Sequence, residues 1–378
     1  MDLQNILNTR FALRKLLANE SYHLSETSVP KTALTSEKEP ALRAKLTAIA
    51  KQIVDCSNSL LLDVYEKDER AKDWISLVNK KIIEDGDVIK IDTRTRPGHK
   101  ILDHHMTHFY DVKNYKGISV RSLMTQELLE KALITNISMH STPYKSELRR
   151  MITMTGGLGN VTKYRTVTSK AITEYFGAKR VLDPCVGWGG RMLGALSVSP
   201  EVEYVGCEPD TQTYKALVAM LQDKAIPESV RHRVTLFGEP AETAMSKIHQ
   251  EEKFDLILTS PPYFNLELYT AGEQSTNKYK TWDDWSEKWL KAIILSCLAA
   301  LKPGGTSCWN VKNFKSDKKY PLADITKQIH KDAGWELVKT VPMKGSGRPG
   351  GKRIQQGKEK RMSNEETLCF KKFEIVKV

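Results

Sequence analysis

The segment Thr259–Phe264, TSPPYF, combines residue types that could do chemistry on an amino group attached to a planar ring. Ser260 supplies a hydroxyl acceptor, while Pro261 and Pro262 fix φ and stiffen the loop. With one backbone carbonyl, the hydroxyl could accept both amino hydrogens and draw the nitrogen towards tetrahedral geometry. Tyr263 adds a flat face on which a ring could stack. Taken alone, the tetrapeptide also fits an ordinary proline turn.

A glycine-rich turn lies upstream, in VLDPCVGWGG, residues Val181–Gly190. Gly187 and Gly189 would let the backbone approach a ligand closely, and the helix that follows offers free N–H groups. The turn lacks the lysine of a phosphate-cradling loop. Asp183 would repel phosphate but would suit a cationic, amino-bearing ligand. A tight turn without any ligand is the alternative.

Two acids follow at the ends of predicted strands. Glu208 lies roughly twenty residues beyond the glycine turn, where an acid can accept hydrogen bonds from both hydroxyls of a ribose. Glu239 lies in GEPAE, residues Gly238–Glu242. It could bind the amino group of an adenine, or it could be a solvated loop acid.

Short hydrophobic strands alternate with helices after about residue 160, which predicts a parallel sheet covered by helices on both faces. Because ligands bind at the carboxyl ends of such strands, the glycine turn, Glu208 and Ser260 should meet at one edge. This order of features strongly disfavours the simple proline turn. The predicted strands span residues 181–183, 203–208, 233–237, 254–258 and 306–311, with closing strands at 334–339 and 366–370.

Three segments, LDPCVGWGG, TSPPYFNL and LKPGG, resemble the class I S-adenosylmethionine-dependent DNA amino-methyltransferases of the N4-cytosine/N6-adenine type. The resemblance covers residues 155–375 and implies a Rossmann-like seven-stranded sheet with S-adenosylmethionine as cofactor. It implies that Asp183 and the nearby backbone hold the methionine moiety, Glu208 the ribose, and KYRTVTSK the methionine end. The candidate cofactor-binding residues are Asp183, Pro184, Cys185, Gly187, Gly189, Glu208, Glu239, Lys163 and Ser169.

The same resemblance implies that the segment from Ser260 to Tyr263 holds the target base as the catalytic site. A serine opening the tetrapeptide favours N4 of cytosine over N6 of adenine. Two departures from the pattern are Trp188 inside the glycine turn and Glu239 followed by Pro240. Methylation of a ring carbon is disfavoured, because that chemistry needs a cysteine in the catalytic loop.

The charge of the chain suits a nucleic acid, with a formal net charge of +12 and a pI near 9.2. A glycine-rich segment, residues 344–361, holds seven Lys or Arg against one acid. Arg348, Lys352 and Arg353 are therefore expected to contact phosphates, although a solvated loop would have the same composition. DNA is the expected partner and RNA the less favoured one, and homodimerisation is left open.

We expect residues 1–150 to form a mainly helical region for DNA recognition or assembly, followed by a methyltransferase domain at residues 151–378. The sequence contains no run of about 18 apolar residues and no secretory signal, so a cytoplasmic chain without membrane contact is expected. The six cysteines are expected to be reduced thiols.

Two further clusters are given structural interpretations. His104 and His108 would share a helical face, but no second ligand pair is near, so a surface group is favoured over a metal site. The aromatic segment Trp282–Trp289 is expected to pack in the core. Two other functions remain open: an RNA base amino-methyltransferase, and a catalytically silent nucleic-acid-binding protein. The intact Ser260–Tyr263 segment argues against the silent protein.

Overall fold

The computed structural model describes residues 61–81, 83–85, 88–90, 95–138, 145–158, 162–248, 253–269, 274–342 and 365–372, with a few positions between 44 and 55. Most of the predicted helical region before residue 61 lies outside the described residues, as do Arg348, Lys352 and Arg353. The chain forms two compact units. One comprises Met1–Val64 and Thr107–Thr162, and the other Tyr65–Met106 and Lys163–Val378. The predicted division at residue 150 differs from this, because residues 65–106 belong to the second unit.

The second unit contains a seven-stranded sheet whose strands match the predicted ones closely. These strands are β1 (Arg180–Asp183), β2 (Glu203–Cys207), β3 (Val234–Phe237), β4 (Phe254–Thr259), β5 (Leu301–Val311), β6 (Trp335–Pro342) and β7 (Glu366–Lys372). Their order across the sheet is β6-β7-β5-β4-β1-β2-β3. The predicted α/β class with a Rossmann-like seven-stranded sheet is confirmed.

Strands β3, β2, β1, β4 and β5 are adjacent in this order and run parallel to one another. Strand β7 lies between β5 and β6 and is antiparallel to both. Thr259, at the end of β4, lies opposite Trp309 of β5. Leu368 of β7 lies opposite that same tryptophan on the other side. Because β1, β2 and β4 run in the same direction, their carboxyl ends share one edge of the sheet.

Helices connect the strands and form much of the first unit. They are α1 (Lys67–Val78), α2 (His99–His105), α3 (Gln126–Ser138), α4 (Lys145–Thr155), α5 (Thr166–Tyr175), α6 (Gly190–Leu196), α7 (Thr211–Leu221), α8 (Glu228–Arg231), α9 (Ala241–Ile248), α10 (Ser275–Lys278), α11 (Trp282–Asp284), α12 (Lys291–Ala300) and α13 (Leu322–Asp332). Short strands outside the main sheet span Ile83–Asp85, Val88–Lys90, Lys113–Asn114, Glu267–Leu268, Phe314–Lys315 and Lys319–Tyr320. Two 3-10 turns, Thr107–Asp111 and Arg121–Leu123, complete the elements together with a π-helix at Trp285–Leu290.

The core of the second unit confirms the packing expected for the aromatic segment. Trp285 is fully buried and Trp289 is almost fully buried, and the two rings stack with centroids 5.0 Å apart. The segment LKPGG was predicted to precede the fifth strand. It lies within that strand instead, because β5 begins at Leu301. Within the described ranges no helix is long and apolar enough to cross a membrane. The five cysteines in those ranges are free thiols.

The histidine cluster makes internal contacts rather than an open surface group. His105 lies 2.9 Å from the carboxylate of Asp223, and the Nδ1 of His104 accepts a hydrogen bond from the Tyr65 N–H over 3.2 Å. His108 is buried. Among the described residues, no group of three His, Cys, Asp or Glu side chains could hold a metal ion.

Candidate active site

Asp183, the last residue of β1, lies at the centre of a buried hydrogen-bond network. Its Oδ2 accepts from Arg191 Nε over 2.7 Å and from the Tyr204 hydroxyl over 2.6 Å. Its Oδ1 accepts from the Thr259 hydroxyl over 2.7 Å and from the Cys185 N–H over 3.1 Å. The carboxylate therefore joins β1, β2, β4 and α6, and holds the glycine turn against the strand that leads into Ser260.

The ion pair between Asp183 and Arg191 is shielded from water, because both side chains are at most 5% exposed. Burial alone would lower the pKa of Arg191, but the adjacent carboxylate raises it above its usual value. Arg191 also donates to the backbone carbonyl of Val186 over 3.2 Å. The guanidinium thus stabilises the glycine turn by binding its backbone. Because Asp183 holds the guanidinium, Asp183 positions the turn.

The glycine turn needs its glycines for two physical reasons. Gly187 and Gly189 have φ values of 57° and 77°, in the left-handed region where other residues are strained. A Cβ at Gly190 would lie 2.2 Å from the backbone oxygen of Tyr164. The turn therefore brings bare backbone to the edge of the sheet and ends at the N-terminus of α6.

Glu208, directly after β2, faces the glycine turn. Its Oε2 accepts from the Gly187 N–H over 2.9 Å, and its Oε1 accepts from the Asp210 N–H over 2.9 Å. Burial raises the pKa of Glu208 to about 7, although both backbone donors favour the ionised form. Each oxygen has a second lone pair to offer, which fits a ligand that presents two neighbouring hydroxyl groups.

Three predicted cofactor residues are engaged in other contacts. Lys163 forms an ion pair with Asp103 over 2.7 Å. Ser169 is fully buried and donates to the backbone carbonyl of Arg191 over 2.6 Å, which joins α5 to α6. The Glu239 carboxylate pairs with Lys247 Nζ at 2.6 and 2.8 Å. The polar groups of these three residues are therefore occupied by protein partners, which does not support the prediction that they bind the cofactor directly.

The predicted turn residues do lie together. Pro184 and Cys185 follow Asp183 at the start of the turn, and burial raises the pKa of the Cys185 thiol well above its usual value. A neutral thiol of this kind is a poor nucleophile, so Cys185 contributes packing and its backbone N–H.

Ser260 follows β4 and is anchored on the neighbouring strand. Its hydroxyl donates to the backbone carbonyl of Asn310 over 3.2 Å. The side-chain amide of Asn310 donates to Ser260 Oγ over 3.4 Å. Because the hydroxyl proton points to the Asn310 carbonyl and the Asn310 amide occupies one lone pair, the Ser260 oxygen has a second lone pair with which to accept from an incoming amino group.

Tyr263 is held by the carboxylate of Glu365, which no motif in the sequence indicates. Its hydroxyl donates to Glu365 Oε1 over 3.1 Å, and the Asn310 amide donates to the same oxygen over 2.8 Å. Burial and the adjacent Glu365 raise the pKa of Tyr263 well above its usual value. Thr367 completes the network by donating to Asn310 Oδ1 over 3.3 Å. Glu365 therefore joins the two ends of the Ser260–Tyr263 segment through Asn310.

Phe264 has a backbone conformation that is rare for its residue type, with φ at 42°. A side chain in this region costs on the order of 1 kcal/mol or more, so the surrounding contacts must hold it there. Its ring lies 5.7 Å from Trp282, 5.8 Å from Trp285 and 5.5 Å from Tyr320 between centroids. The Leu266 N–H closes the turn on the Tyr263 carbonyl over 2.8 Å. Aromatic packing thus fixes the backbone directly after the Ser260–Tyr263 segment.

Residues 254–375 match the family model described as DNA methylase, of the N6/N4 methyltransferase type. The predicted resemblance is confirmed over this segment, which contains Ser260, Asn310 and Glu365. No curated protein matches the sequence.

Solved methyltransferase structures are similar to the chain at low identity. The O-methyltransferase TomG from Streptomyces achromogenes is 10% identical, with a TM-score of 0.37 over 58% of this chain and 84% of that chain. A SAM-dependent O-methyltransferase from Thermotoga maritima is 13% identical, with a TM-score of 0.37 over 58% of this chain and 70% of that one. The glycopeptide N-methyltransferase MtfA is 14% identical, with a TM-score of 0.37 and coverages of 55% and 90%. Likenesses this distant say nothing of what this chain acts on.

Proposed function

We propose that this chain transfers a methyl group from S-adenosylmethionine to an exocyclic amino group of a DNA base, with N4 of cytosine favoured over N6 of adenine. The observation that carries the proposal is the anchored Ser260 hydroxyl, placed directly after β4 within the segment that matches the DNA methylase family. The target base would be turned out of the duplex to reach it, because a stacked base hides its amino group from such a loop.

The residues at the sheet edge fit the cofactor. The bare backbone of Gly187 and Gly189 would lie along its amino-acid portion, and the Glu208 carboxylate would accept from its ribose hydroxyls. Bound here, S-adenosylmethionine supplies an electrophilic methyl group on a sulfonium centre. Asp183 would act by holding the turn, because its described hydrogen bonds all go to protein groups.

Ser260 and a backbone carbonyl of the proline pair would bind the two hydrogens of the target amino group. The amino lone pair is delocalised into the base, and these acceptors draw the nitrogen out of conjugation so that it can form the new N–C bond. The nitrogen becomes positively charged as the bond to sulfur breaks, and the same acceptors stabilise that charge. One amino proton then leaves to water, so the product is neutral.

Tyr263 would stack on the target base, and Glu365 would keep its ring in place through the hydroxyl. Under this proposal, residues 1–150 would recognise sequence or mediate assembly, and Arg348, Lys352 and Arg353 would contact phosphates. Serine at the first position of the catalytic segment supports cytosine, because a hydroxyl is a less selective acceptor than the carboxylate or amide of adenine-directed relatives.

Transfer of labelled methyl groups tests the proposal. The chain is incubated with methyl-labelled S-adenosylmethionine and either double-stranded DNA or structured RNA, and label in the recovered polymer is counted. The proposal predicts label in DNA that depends on Ser260. Label in RNA alone, or in neither polymer, would contradict it.

A further inference from the structure

A short β-hairpin follows β5 directly and carries a concentration of positive charge. We call residues 312–320 the lysine hairpin; its two strands pair antiparallel, with Phe314 opposite Tyr320 and Lys315 opposite Lys319. Four lysines lie in these nine residues against one acid, Asp317. Since β5 lies beside β4, the hairpin emerges at the same sheet edge as Ser260.

Asp317, the single acid of the lysine hairpin, binds the hairpin to the loop that follows β4. The side-chain amide of Asn265, two residues after Tyr263, donates to Asp317 Oδ1 over 2.7 Å, and the Tyr320 hydroxyl donates to it over 2.9 Å. Hydrogen bonds from Asn265 and Ser316 lower the pKa of Asp317 below its usual range. The Asp317 carboxylate is therefore occupied by hydrogen bonds that position the hairpin. The lysines remain as the charged groups that the hairpin offers to a ligand.

Two of these lysines lie opposite each other on the two strands of the hairpin. Lys315 and Lys319 occupy directly opposite positions, and both are exposed. Like charges in opposite positions destabilise an antiparallel pair. Within the part of the chain that the structure describes, none of the ion pairs joins Lys315 or Lys319 to an acid. A repulsive pair of this kind is compensated when an anion binds between the two ammonium groups.

The other two lysines, Lys312 and Lys318, place positive charge beside Tyr263 and at the turn of the hairpin. Lys312 Nζ lies 5.7 Å from the centroid of the Tyr263 ring, and Lys318 Nζ lies 5.5 Å from that of Tyr320. Each ammonium group lies over the face of its aromatic ring, in cation–π geometry. The positive charge therefore runs from the ring that would stack on the target base to the tip of the hairpin.

We propose that the lysine hairpin binds the phosphates of a DNA strand next to the nucleotide that enters the Ser260–Tyr263 site. The inference rests on the proposed function for its substrate, and it names a second contact surface besides residues 344–361. Lysine acts here as a point charge, so the contact would be independent of base sequence. It would hold the backbone on either side of the extruded nucleotide while the base occupies the loop.

Salt-dependent DNA binding tests this surface. Lys315→Gln and Lys319→Gln are combined, which removes the two charges and keeps most of each stem. The matched control combines Lys327→Gln and Lys331→Gln, which removes the same charge from exposed positions of α13. Binding of each full-length protein to a fluorescein-labelled mixed-sequence duplex is followed by anisotropy at several NaCl concentrations.

The hairpin variant should bind more weakly, and the slope of log K against log [NaCl] should become shallower by about 2, since each lost phosphate contact removes roughly 0.9. The control should keep the wild-type slope. The melting temperature of the hairpin variant should stay the same or rise, because a repulsive pair has been removed.

A hairpin variant with the wild-type slope would overturn the proposal, as would an equal loss of slope in the control. These outcomes are separate from failure of the proposed function. If the wild type binds DNA through the hairpin but transfers no methyl group to it, the enzymatic proposal fails while the phosphate surface stands. If it methylates DNA with an unchanged slope in the hairpin variant, only the surface fails.

Discussion

The Ser260 hydroxyl donates to the backbone carbonyl of Asn310 over 3.2 Å, and so joins the loop after β4 to the end of β5. The two strands are parallel neighbours, which brings residues 50 positions apart in sequence into contact. This hydrogen bond directs the Ser260 hydroxyl proton towards the Asn310 carbonyl. With that proton directed at Asn310, the Ser260 oxygen is an acceptor, as the proposed chemistry on an amino group requires.

Replacing Ser260 by alanine should lower the rate of methyl transfer strongly and leave cofactor binding intact. The change removes one acceptor of the target amino group, and loss of one such group typically lowers kcat by about 100-fold to 1000-fold. Labelled-methyl transfer measures the rate, and calorimetry with S-adenosylmethionine measures the affinity. Ser246→Ala on α9 is the control and should transfer at the wild-type rate. A Ser260→Ala protein with wild-type kcat would remove Ser260 from the mechanism.

Replacing Glu365 by alanine should lower kcat by about 30-fold, because Tyr263 and Asn310 each lose a hydrogen bond to it worth on the order of 1 kcal/mol. Glu365→Gln should recover most of the rate, since its amide oxygen can accept the same two hydrogen bonds. Steady-state kinetics and cofactor affinity are measured for both variants. Equal loss in Glu365→Ala and Glu365→Gln would show that charge, rather than positioning of Tyr263, is what matters.

Replacing Asp183 by asparagine should destabilise the protein by about 3–5 kcal/mol, because the buried Arg191 loses the charge that compensates it. Urea unfolding followed by circular dichroism measures the free energy of unfolding. The control is Glu239→Gln, which breaks the more exposed pair with Lys247 and should change stability by less than about 1 kcal/mol. Similar effects in the two variants would contradict the network described around Asp183.

Binding of S-adenosylmethionine should weaken as the pH falls through about 7, because burial raises the pKa of Glu208 to about 7. Below that pH the carboxyl is increasingly protonated and loses acceptor capacity for the ribose hydroxyls, so the dissociation constant should rise towards about tenfold per pH unit. Calorimetry across this range measures it. Glu208→Gln should bind weakly at every pH with little pH dependence. A flat profile in the wild type would contradict the assigned role.

Much of the fold was predictable from local patterns. All seven strands of the sheet match short apolar runs, and the glycine turn marks the end of β1, because hydrophobic strands and φ > 0 positions leave strong local signals. The place of the Ser260–Tyr263 segment directly after β4, at the same sheet edge as Asp183 and Glu208, was predictable from the order of the strands. Aromatic packing around Trp285 also follows from helical spacing.

Side-chain partners from distant segments were not predictable. Glu365 contacts Tyr263 across 102 positions in sequence, and no local pattern distinguishes it from its neighbour Glu366. Asn310 left a weak signal, as a polar residue at the carboxyl end of a buried strand. Lys163 and Ser169 were of suitable type for a ligand, yet a nearby acid and a nearby helix compete for their polar groups.

Identification of the methylated nucleoside tests the central claim most directly. DNA incubated with the chain and S-adenosylmethionine is digested to nucleosides, which are separated and identified by mass spectrometry, with Ser260→Ala as the matched control. N4-methylcytosine is expected in the wild-type reaction, and in the control it should form at least about 100-fold more slowly. N6-methyladenine would keep the amino-group chemistry and overturn the choice of base. DNA without any methylated amino group would contradict the account.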